Sequence, residues 1–138
     1  MLGEPGTMQL DPRYDDVLLD IYDYLAGRVA ACEAAGIGRE KITVDPGIGF
    51  GKTVEHNTRI LSRLGMFHGL GCPVLLGVSR KTFIAKLSAG EAPKDRVPGS
   101  LATALSGIDQ GVQIVRVHDV AMTRQAIAVW QGIADARR

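Results

Sequence analysis

The stretch PVLLGVSRK, residues 73–81, decides the fold that the sequence predicts. Its first six residues are almost wholly apolar, which is typical of a strand that is buried on both faces of a parallel sheet. The apolar run stops abruptly at Ser79, Arg80 and Lys81. We therefore predict a central strand over 73–78, covered by helices and followed by a polar cluster at its carboxyl end.

Helical and strand patterns alternate on both sides of this strand. The predicted elements are, in chain order, a helix over 17–35, a strand over 42–44, a helix over 54–64, the strand over 73–78, a helix over 82–87, a loop over 90–98, a helix over 100–110, a strand over 113–117 and a last helix. Asp15 or Asp16 caps the first helix, Gly36 ends it, and Gly65 ends the second. This α-β-α-β-α-β-α order predicts the α/β class, with parallel strands joined by helical crossovers.

Composition limits the possible classes of function. The 138 residues are 46% hydrophobic and 22% charged, with a formal net charge of +1, which indicates one globular domain over 1–138. The near-neutral charge and the 5% aromatic content do not favour nucleic-acid binding. No apolar run approaches the roughly 20 residues that span a bilayer, so we expect no membrane partner. Cys32 and Cys72 lie far apart and predict buried, reduced thiols in a cytoplasmic protein.

The segment VDPGIGFGKT, residues 44–53, looks at first like a phosphate-binding loop. A Walker A loop needs a glycine five residues before Gly51, where this chain has Pro46, which lacks an N–H group. The dinucleotide-binding fingerprint fails too, because its third glycine would fall on Lys52. The segment is therefore a glycine-rich loop of another kind, with Asp45 directly after a short apolar run.

Polar residues follow each predicted strand at its carboxyl end. Asp45 follows the first strand, the cluster 79–81 follows the second, and Arg116 and His118 lie at the end of the third. The carboxyl ends of parallel strands share one face of a sheet or barrel, so we expect these side chains to surround one pocket. The sequence thus predicts an acid, several bases and a histidine in a single site.

Several of these residues also have a purely structural explanation. Asp45 before Pro-Gly is a favoured turn residue, and Lys52 and Thr53 are better explained as caps of the loop or the next helix than as phosphate ligands. Arg80 and Lys81 could be surface residues at a helix start. Cations oppose the helix dipole there, however, so an anionic ligand is a reasonable explanation.

The three histidines and Phe50 can be interpreted in the same way. His118, between a strand and a helix, is of a kind that is often only a hydrogen-bonded structural histidine. His56 and His68 have no metal-ligand spacing, so we interpret them as structural or solvated. Phe50 lies among glycines, where a large ring more often contacts a ligand or covers a pocket than joins the core.

Four motifs and their order resemble one enzyme family, the dihydropteroate synthases of the folate pathway. They are DPGIGFGKTVEHN (45–57), GVSRKTFI (77–84), GSLATAL (99–105) and VRVHDV (115–120), and the opening LGEPGTMQ resembles the loop after the family's fifth strand. The resemblance implies an eight-stranded (β/α) TIM barrel. This chain would form the C-terminal part of that single pterin-binding domain, roughly its last three β/α units.

The resemblance implies a reaction and two catalytic residues. The family joins p-aminobenzoate to 6-hydroxymethyl-7,8-dihydropterin pyrophosphate and releases pyrophosphate. Asp45 is similar to the aspartate that hydrogen-bonds the pterin ring, where a carboxylate can accept from two adjacent N–H groups. Lys81 is similar to the lysine at the junction of the two substrates. Gly77 would let the pterin approach the backbone closely.

The remaining substrate contacts also follow from the resemblance. Phe50 would pack beside the aminobenzoate ring, Thr82 would lie near its carboxylate, and Arg80 would lie at the same rim. Arg116 and His118 would hold the departing pyrophosphate. Mg²⁺ would accompany that pyrophosphate, bound mainly by phosphate oxygens and water, with no dedicated metal site in the protein.

The resemblance also bears on partners and on the activity of the chain itself. Sulfonamides would compete with p-aminobenzoate, and a homodimer would form through the C-terminal helices. The family's first five strands have no counterpart in this sequence, and Met1 aligns with an internal methionine of the family. We therefore expect residues 1–138 alone to be inactive, and poorly stable unless they associate. The alternatives are a non-catalytic pterin-binding or interaction fragment, and the pterin-binding domain of a methyltransferase, against which the SRK and RVHDV motifs count.

Overall fold

A computed structural model of the chain describes residue 4 and residues 6–136. Its elements are α1 (Val17–Ala34), α2 (Val54–Leu61), β1 (Leu75–Leu76), α3 (Thr82–Leu87), α4 (Val97–Asp109), β2 (Ile114–Val115) and α5 (Val120–Asp135). Short 3-10 helices cover Arg39–Lys41, Leu64–Leu70 and Pro93–Arg96. The alternating α/β order is confirmed, whereas Met1 lies outside the described residues.

The sheet is parallel but its strands are shorter than predicted. β1 pairs with β2 in the register Leu75 with Ile114, and the segment before the glycine-rich loop joins β1 through one parallel bridge, Val44 with Val74. The strand predicted over 42–44 is therefore reduced to a single bridge, and those over 73–78 and 113–117 to two residues each. A strand extends only as far as a hydrogen-bonded neighbour pairs with it. Within residues 4 and 6–136, the segment at Val44 and β2 each have such a neighbour, the central strand, on one side only.

The central strand is buried on one face, where the sequence predicted two. Val74, Leu76 and Val78 alternate along the strand and are at most 1% exposed, because the helices cover that face. Leu75 and Gly77 point to the opposite face and are only half-buried. The second face therefore lacks a cover within the described part of the chain.

The helices form where capping and apolar spacing predicted them, with two boundary corrections. Asp16 caps α1, since its carboxylate accepts from the backbone N–H of Leu18 at 2.8 Å. α2 ends at Leu61, before the predicted end at Gly65, because the chain turns into the 3-10 helix that buries Phe67. α4 begins at Val97, inside the predicted loop 90–98, because proline is tolerated in a first helical turn.

The last two helices pack against each other and leave an apolar surface exposed. Met122, Val129 and Ile133 of α5 are each more than half exposed. No helix among the described residues is long and apolar enough to cross a membrane.

Both cysteines are free thiols. Cys72 is buried as predicted, whereas Cys32, near the carboxyl end of α1, is only half-buried, so the prediction of a buried thiol is wrong for Cys32.

Candidate functional site

The glycine-rich loop has a backbone that only its glycines adopt easily. Gly47, Gly49 and Gly51 have φ values of +70°, +81° and +56°, in the left-handed region that disfavours residues with a Cβ. Asp45 Oδ1 accepts the N–H of Gly47 at 2.8 Å, so the turn interpretation of this residue is confirmed. The side chain is exposed, which leaves the carboxylate open to a ligand as well.

Two amide side chains hold the backbone N–H and the carbonyl of Gly49 in place. Sequence reasoning missed both of them. Asn57, only 3% exposed, accepts the Gly49 N–H at 2.7 Å and donates to the carbonyl of Thr53 at 2.8 Å. Gln9 donates to the Gly49 carbonyl at 2.6 Å. The signal for Asn57 was its position three residues before Ile60, on the apolar face of α2, where a polar side chain needs a partner.

Lys52 belongs to the loop itself. Its Nζ donates to the carbonyls of Gly47 at 2.9 Å and Phe50 at 3.0 Å. The pKa of Lys52 is lowered to about 8, chiefly by burial and also by the positive charge of Lys81, while Asp45 opposes the shift. Thr53 caps α2. The structural interpretation of both residues is thus confirmed.

Lys81 joins the cluster after the second strand to the glycine-rich loop. Its Nζ donates to the carbonyl of Ile48 and lies 4.2 Å from the centre of the exposed Phe50 ring, over its face. Burial lowers the pKa of Lys81; the charge of Asp45 opposes that effect and Arg116 adds to it. Lys81 therefore interacts electrostatically with Asp45, which follows the first strand, and with Arg116, at the end of the third.

Arg80 is held in a conformation that few non-glycine residues adopt. Its φ is +60°, its N–H donates to Ser100 Oγ at 2.8 Å, and its carbonyl accepts from Arg96 at 3.0 Å. Its guanidinium makes two hydrogen bonds to the carboxylate of Asp119. These hydrogen bonds are the main reason that the pKa of Asp119 is lowered. The side chain thus connects the second and third strand ends.

The third strand end meets the second through His118. The backbone N–H and Nδ1 of His118 lie 3.2 and 3.0 Å from Ser79 Oγ. The side chains of His118 and Arg116 are both exposed. The ends of the second and third strands therefore lie side by side, although the single pocket expected from the sequence is not formed by these contacts alone. His56 completes the capping box of α2 and His68 bonds the carbonyl of Gln110, so both are structural.

Two cavities lie on either side of the glycine-rich loop. A groove of about 820 Å³ is lined by Phe50, Lys81 and Thr82, with a wall formed by 9–12. A cleft of about 380 Å³ between α1 and the loop is lined by Asp45 and again by Phe50. Neither cavity is lined by the residues of the third strand end.

The backbone at Gly77 and the metal-ligating side chains were the other predicted parts of the site. A Cβ added at Gly77 would meet no atom within 4 Å, so this backbone position faces open space on the uncovered side of the sheet. Among residues 4 and 6–136, no group of three or more His, Cys, Asp or Glu side chains could hold a metal ion.

The chain matches the model of the family described as pterin binding enzyme over residues 1–118. It therefore belongs to the pterin-binding enzyme family. The dihydropteroate synthase of Escherichia coli K12 is 44% identical over 137 residues, which cover 99% of this chain and 48% of that protein.

Two solved structures carry the same similarity into three dimensions. The Yersinia pestis dihydropteroate synthase, in complex with a sulfonamide drug, superposes with a TM-score of 0.93 and 40% identity, covering 99% of this chain and 49% of its own. The Xanthomonas albilineans dihydropteroate synthase, in complex with 7,8-dihydropteroate, gives a TM-score of 0.87 and 43% identity, covering 89% and 47%. The chain spans about half the length of the relatives that it matches.

Proposed function

We propose that residues 1–138 form the C-terminal half of a dihydropteroate synthase, catalytic within a complete barrel. One observation carries the proposal: Lys81 lies against both the Ile48 carbonyl and the Phe50 ring, so the second strand end and the glycine-rich loop build one groove. The relatives are named for this activity, and the structure from Xanthomonas albilineans contains 7,8-dihydropteroate.

The residues divide between three parts of the substrates. Asp45 accepts N–H groups of the pterin ring, which approaches the backbone at Gly77. Phe50 and Thr82 border the p-aminobenzoate, with its carboxylate near the start of α3. Lys81 lies at the junction of the two rings; it and Asp45 are the catalytic residues. The exposed side chains of the third strand end, Arg116 and His118, bind pyrophosphate. Arg80 contributes at the aminobenzoate rim through the backbone it fixes, because its guanidinium is engaged by Asp119.

The reaction that fits this arrangement is displacement of pyrophosphate. The bond between the pterin methylene carbon and the pyrophosphate oxygen breaks, and its electron pair leaves with the oxygen. The lone pair of the aminobenzoate nitrogen forms the new C–N bond, and one amine proton passes to solvent. The chain's own residues position the two rings and stabilise the negative charge on the leaving group.

Mg²⁺ enters this proposal only with the substrate. The described residues contain no cluster of carboxylates or histidines that would form a protein-built magnesium site. The oxygens of pyrophosphate are ligands that Mg²⁺ prefers, and it usually keeps several waters. The ion, when bound, would neutralise charge on the leaving group, and Arg116 and His118 would contact the remaining oxygens.

The rest of the barrel would cover the open sides of the sheet. The bridge at Val44 uses one edge of its segment, and β2 uses one edge against β1, so two strand edges are free to pair within the described residues. The half-buried face of Leu75 and Gly77 would line the barrel interior. These features support the assignment of the chain to the last three β/α units. A polypeptide of residues 1–138 alone would leave both edges exposed, which favours mispairing and loss of activity.

A second copy of the chain is the partner that the C-terminal helices favour. An apolar hollow of about 810 Å³ lies between α4 and α5 and is lined by Leu101, Leu105, Met122, Val129 and Ile133. Apolar surfaces of this kind on helices usually mark protein interfaces. The reduced thiols of Cys32 and Cys72 support a cytoplasmic location.

A hybrid enzyme tests the proposed function. Residues 1–138 replace the matching half of the Escherichia coli relative, and release of pyrophosphate is followed with both substrates. We expect the hybrid to turn over both substrates and to be inhibited by a sulfonamide. Residues 1–138 alone should show no turnover. A folded hybrid that binds a pterin without turnover would support the non-catalytic fragment instead. Binding of a pterin without any competition between p-aminobenzoate and sulfonamide would support a methyltransferase-type domain.

A further inference from the structure

We infer that Ser79 is a positioning residue that holds the His118 ring as its Nε2–H tautomer. Ser79 is only 8% exposed and lies directly before the Arg80-Lys81 pair at the second strand end. Its Oγ lies 3.2 Å from the backbone nitrogen of His118 and 3.0 Å from Nδ1 of the same ring. One hydroxyl therefore contacts both the main chain and the side chain of a residue 39 positions away.

The direction of each hydrogen bond follows from counting hydrogens. The backbone N–H of His118 can only donate, so Ser79 Oγ accepts it. The hydroxyl has one hydrogen of its own, and Nδ1 is the only acceptor within its reach in the described part of the chain. A neutral imidazole that accepts at Nδ1 must carry its hydrogen on Nε2. The reverse arrangement would leave a buried hydroxyl hydrogen without a partner, which is unfavourable.

The nearest carboxylate in the sequence does not compete with Ser79 for Nδ1 of His118. A carboxylate beside Nδ1 would favour the opposite tautomer, and Asp119 is the nearest candidate in the sequence. Its two oxygens, however, both accept from the guanidinium of Arg80. That ion pair also connects the same two strand ends, so it keeps Ser79 and His118 together.

The tautomer decides what the ring offers to a ligand. His118 is exposed, and Nε2 makes no hydrogen bond to any of the residues that the structure describes. An Nε2–H group donates to an oxygen of an anion, whereas a bare nitrogen lone pair would repel it. The anion that we assign here, the pyrophosphate, rests on the proposed function; the tautomer itself rests on the geometry alone.

Nuclear magnetic resonance of the chain labelled with ¹⁵N-histidine tests the tautomer directly. The spectra are recorded in a buffer alkaline enough to keep histidine neutral, and the His118 signals are assigned by their loss in His118→Gln. We expect the hydrogen on Nε2, and in Ser79→Ala an Nδ1 resonance moved to lower frequency, closer to that of Nε2, because the two tautomers then mix, while His56 and His68 stay unchanged. Ser79→Thr, which keeps a hydroxyl, should restore the wild-type position. A hydrogen on Nδ1 in the wild-type chain, or an unmoved resonance in Ser79→Ala, would overturn the inference.

A pyrophosphate titration of the hybrid enzyme then separates positioning from general stability. Ser79→Ala should weaken binding by about three- to tenfold, the net effect of one ordinary hydrogen bond, and should add nothing in a His118→Gln background. Equal losses in both backgrounds would overturn the inference, since they would show that Ser79 acts without His118. If the hybrid enzyme with wild-type residues 1–138 binds no pyrophosphate, the proposed anion site fails, and the tautomer measurement still decides the role of Ser79.

Discussion

Lys52 and Lys81 lie beside the same loop and have different tasks because their surroundings differ. The Nζ of Lys52 is occupied by two carbonyls of its own loop. Lys81 donates to one carbonyl and lies over the face of Phe50 at the border of the large groove. Position in the sequence does not distinguish the two lysines; the number of remaining hydrogen-bond donors does.

The lowered pKa of Lys52 predicts a pH dependence of stability. The group has a pKa of about 8 when folded and an ordinary value of 10.5, so between these values the unfolded chain binds more protons. The free energy of unfolding should therefore rise with pH across that window, and stay at its lower level below pH 8. The contribution should be about 1–3 kcal/mol.

Urea unfolding at several pH values measures this contribution by comparison with Lys52→Met. The variant lacks the titrating group, so the difference in unfolding free energy between the two proteins should change in favour of wild type as pH rises. Lys94→Met, on an exposed 3-10 helix, serves as the matched control and should follow wild type. A constant difference between wild type and Lys52→Met would contradict the lowered pKa.

Lys81 should matter for turnover far more than for folding. In the hybrid enzyme we expect Lys81→Met to lower kcat by about 10²–10³-fold, because a positioned donor at the junction of the two substrates is lost. Steady-state kinetics measure the effect, with Lys94→Met again as control. A change in KM alone, with kcat preserved, would show that Lys81 binds substrate without acting on the reaction.

At the scale of elements, Asn57 connects α2 to the glycine-rich loop. Asn57→Leu removes the acceptor of the Gly49 N–H and leaves that group unpaired; the Thr53 carbonyl loses one donor but keeps its bond from the backbone N–H of residue 57. We expect a loss of about 1–3 kcal/mol in unfolding free energy, together with weaker sulfonamide binding. Thr58→Ala is the control, since that hydroxyl bonds only to its own helix. Equal losses in the two variants would argue against a link through Asn57.

The Arg80–Asp119 ion pair connects the second and third strand ends. A double-mutant cycle with Arg80→Met and Asp119→Asn should give a larger coupling energy than a cycle on Arg39 and Glu33. The reason is exposure: the first two side chains are 27% and 15% exposed, against 49% and 38% for the second pair. Thermal unfolding of the four variants of each cycle provides the measurement. A coupling no larger than that of the exposed pair would exclude a role in connecting the strand ends.

At the scale of the whole molecule, the apolar surface on α4 and α5 predicts self-association. We expect a dimer by analytical ultracentrifugation, and a dissociation constant raised about tenfold or more by Ile133→Lys, which places a charge in the apolar interface. Leu19→Lys on α1 introduces the same change at a side chain of similar exposure, 56% against 54%, and should leave the dimer intact. Dissociation by both variants alike would assign the effect to charge rather than to this surface.

The open sides of the sheet set the limit of what this chain can do alone. The central strand β1 has one buried and one half-buried face, Ile114 of β2 is exposed, and the candidate site lies at the carboxyl ends of the three parallel segments. A barrel closes only when every strand has two neighbours. The proposed activity is therefore a property of a larger assembly, to which this chain brings the glycine-rich loop and two strand ends.

Much of the fold and site could be predicted because the signals were local. The caps at Asp16 and Thr53 and the bounds of α3 depend on a few neighbouring residues, and the glycines of the loop on their own φ angles. Strand lengths were overestimated because pairing depends on distant segments. Burial of the central strand on both faces was wrong for the same reason, since no sequence signal shows whether a second layer covers it.

The sequence by itself determined the α/β order, the family and the residue types at each strand end, because periodicity, caps and motifs are properties of neighbouring residues. Only the tertiary structure decided their partners. It placed Asn57 and Gln9 on Gly49, Arg80 on Asp119, and Ser79 on His118. Most of these contacts join residues 39 or 40 positions apart, and hydrogen-bond geometry at that separation depends on the packing of whole elements.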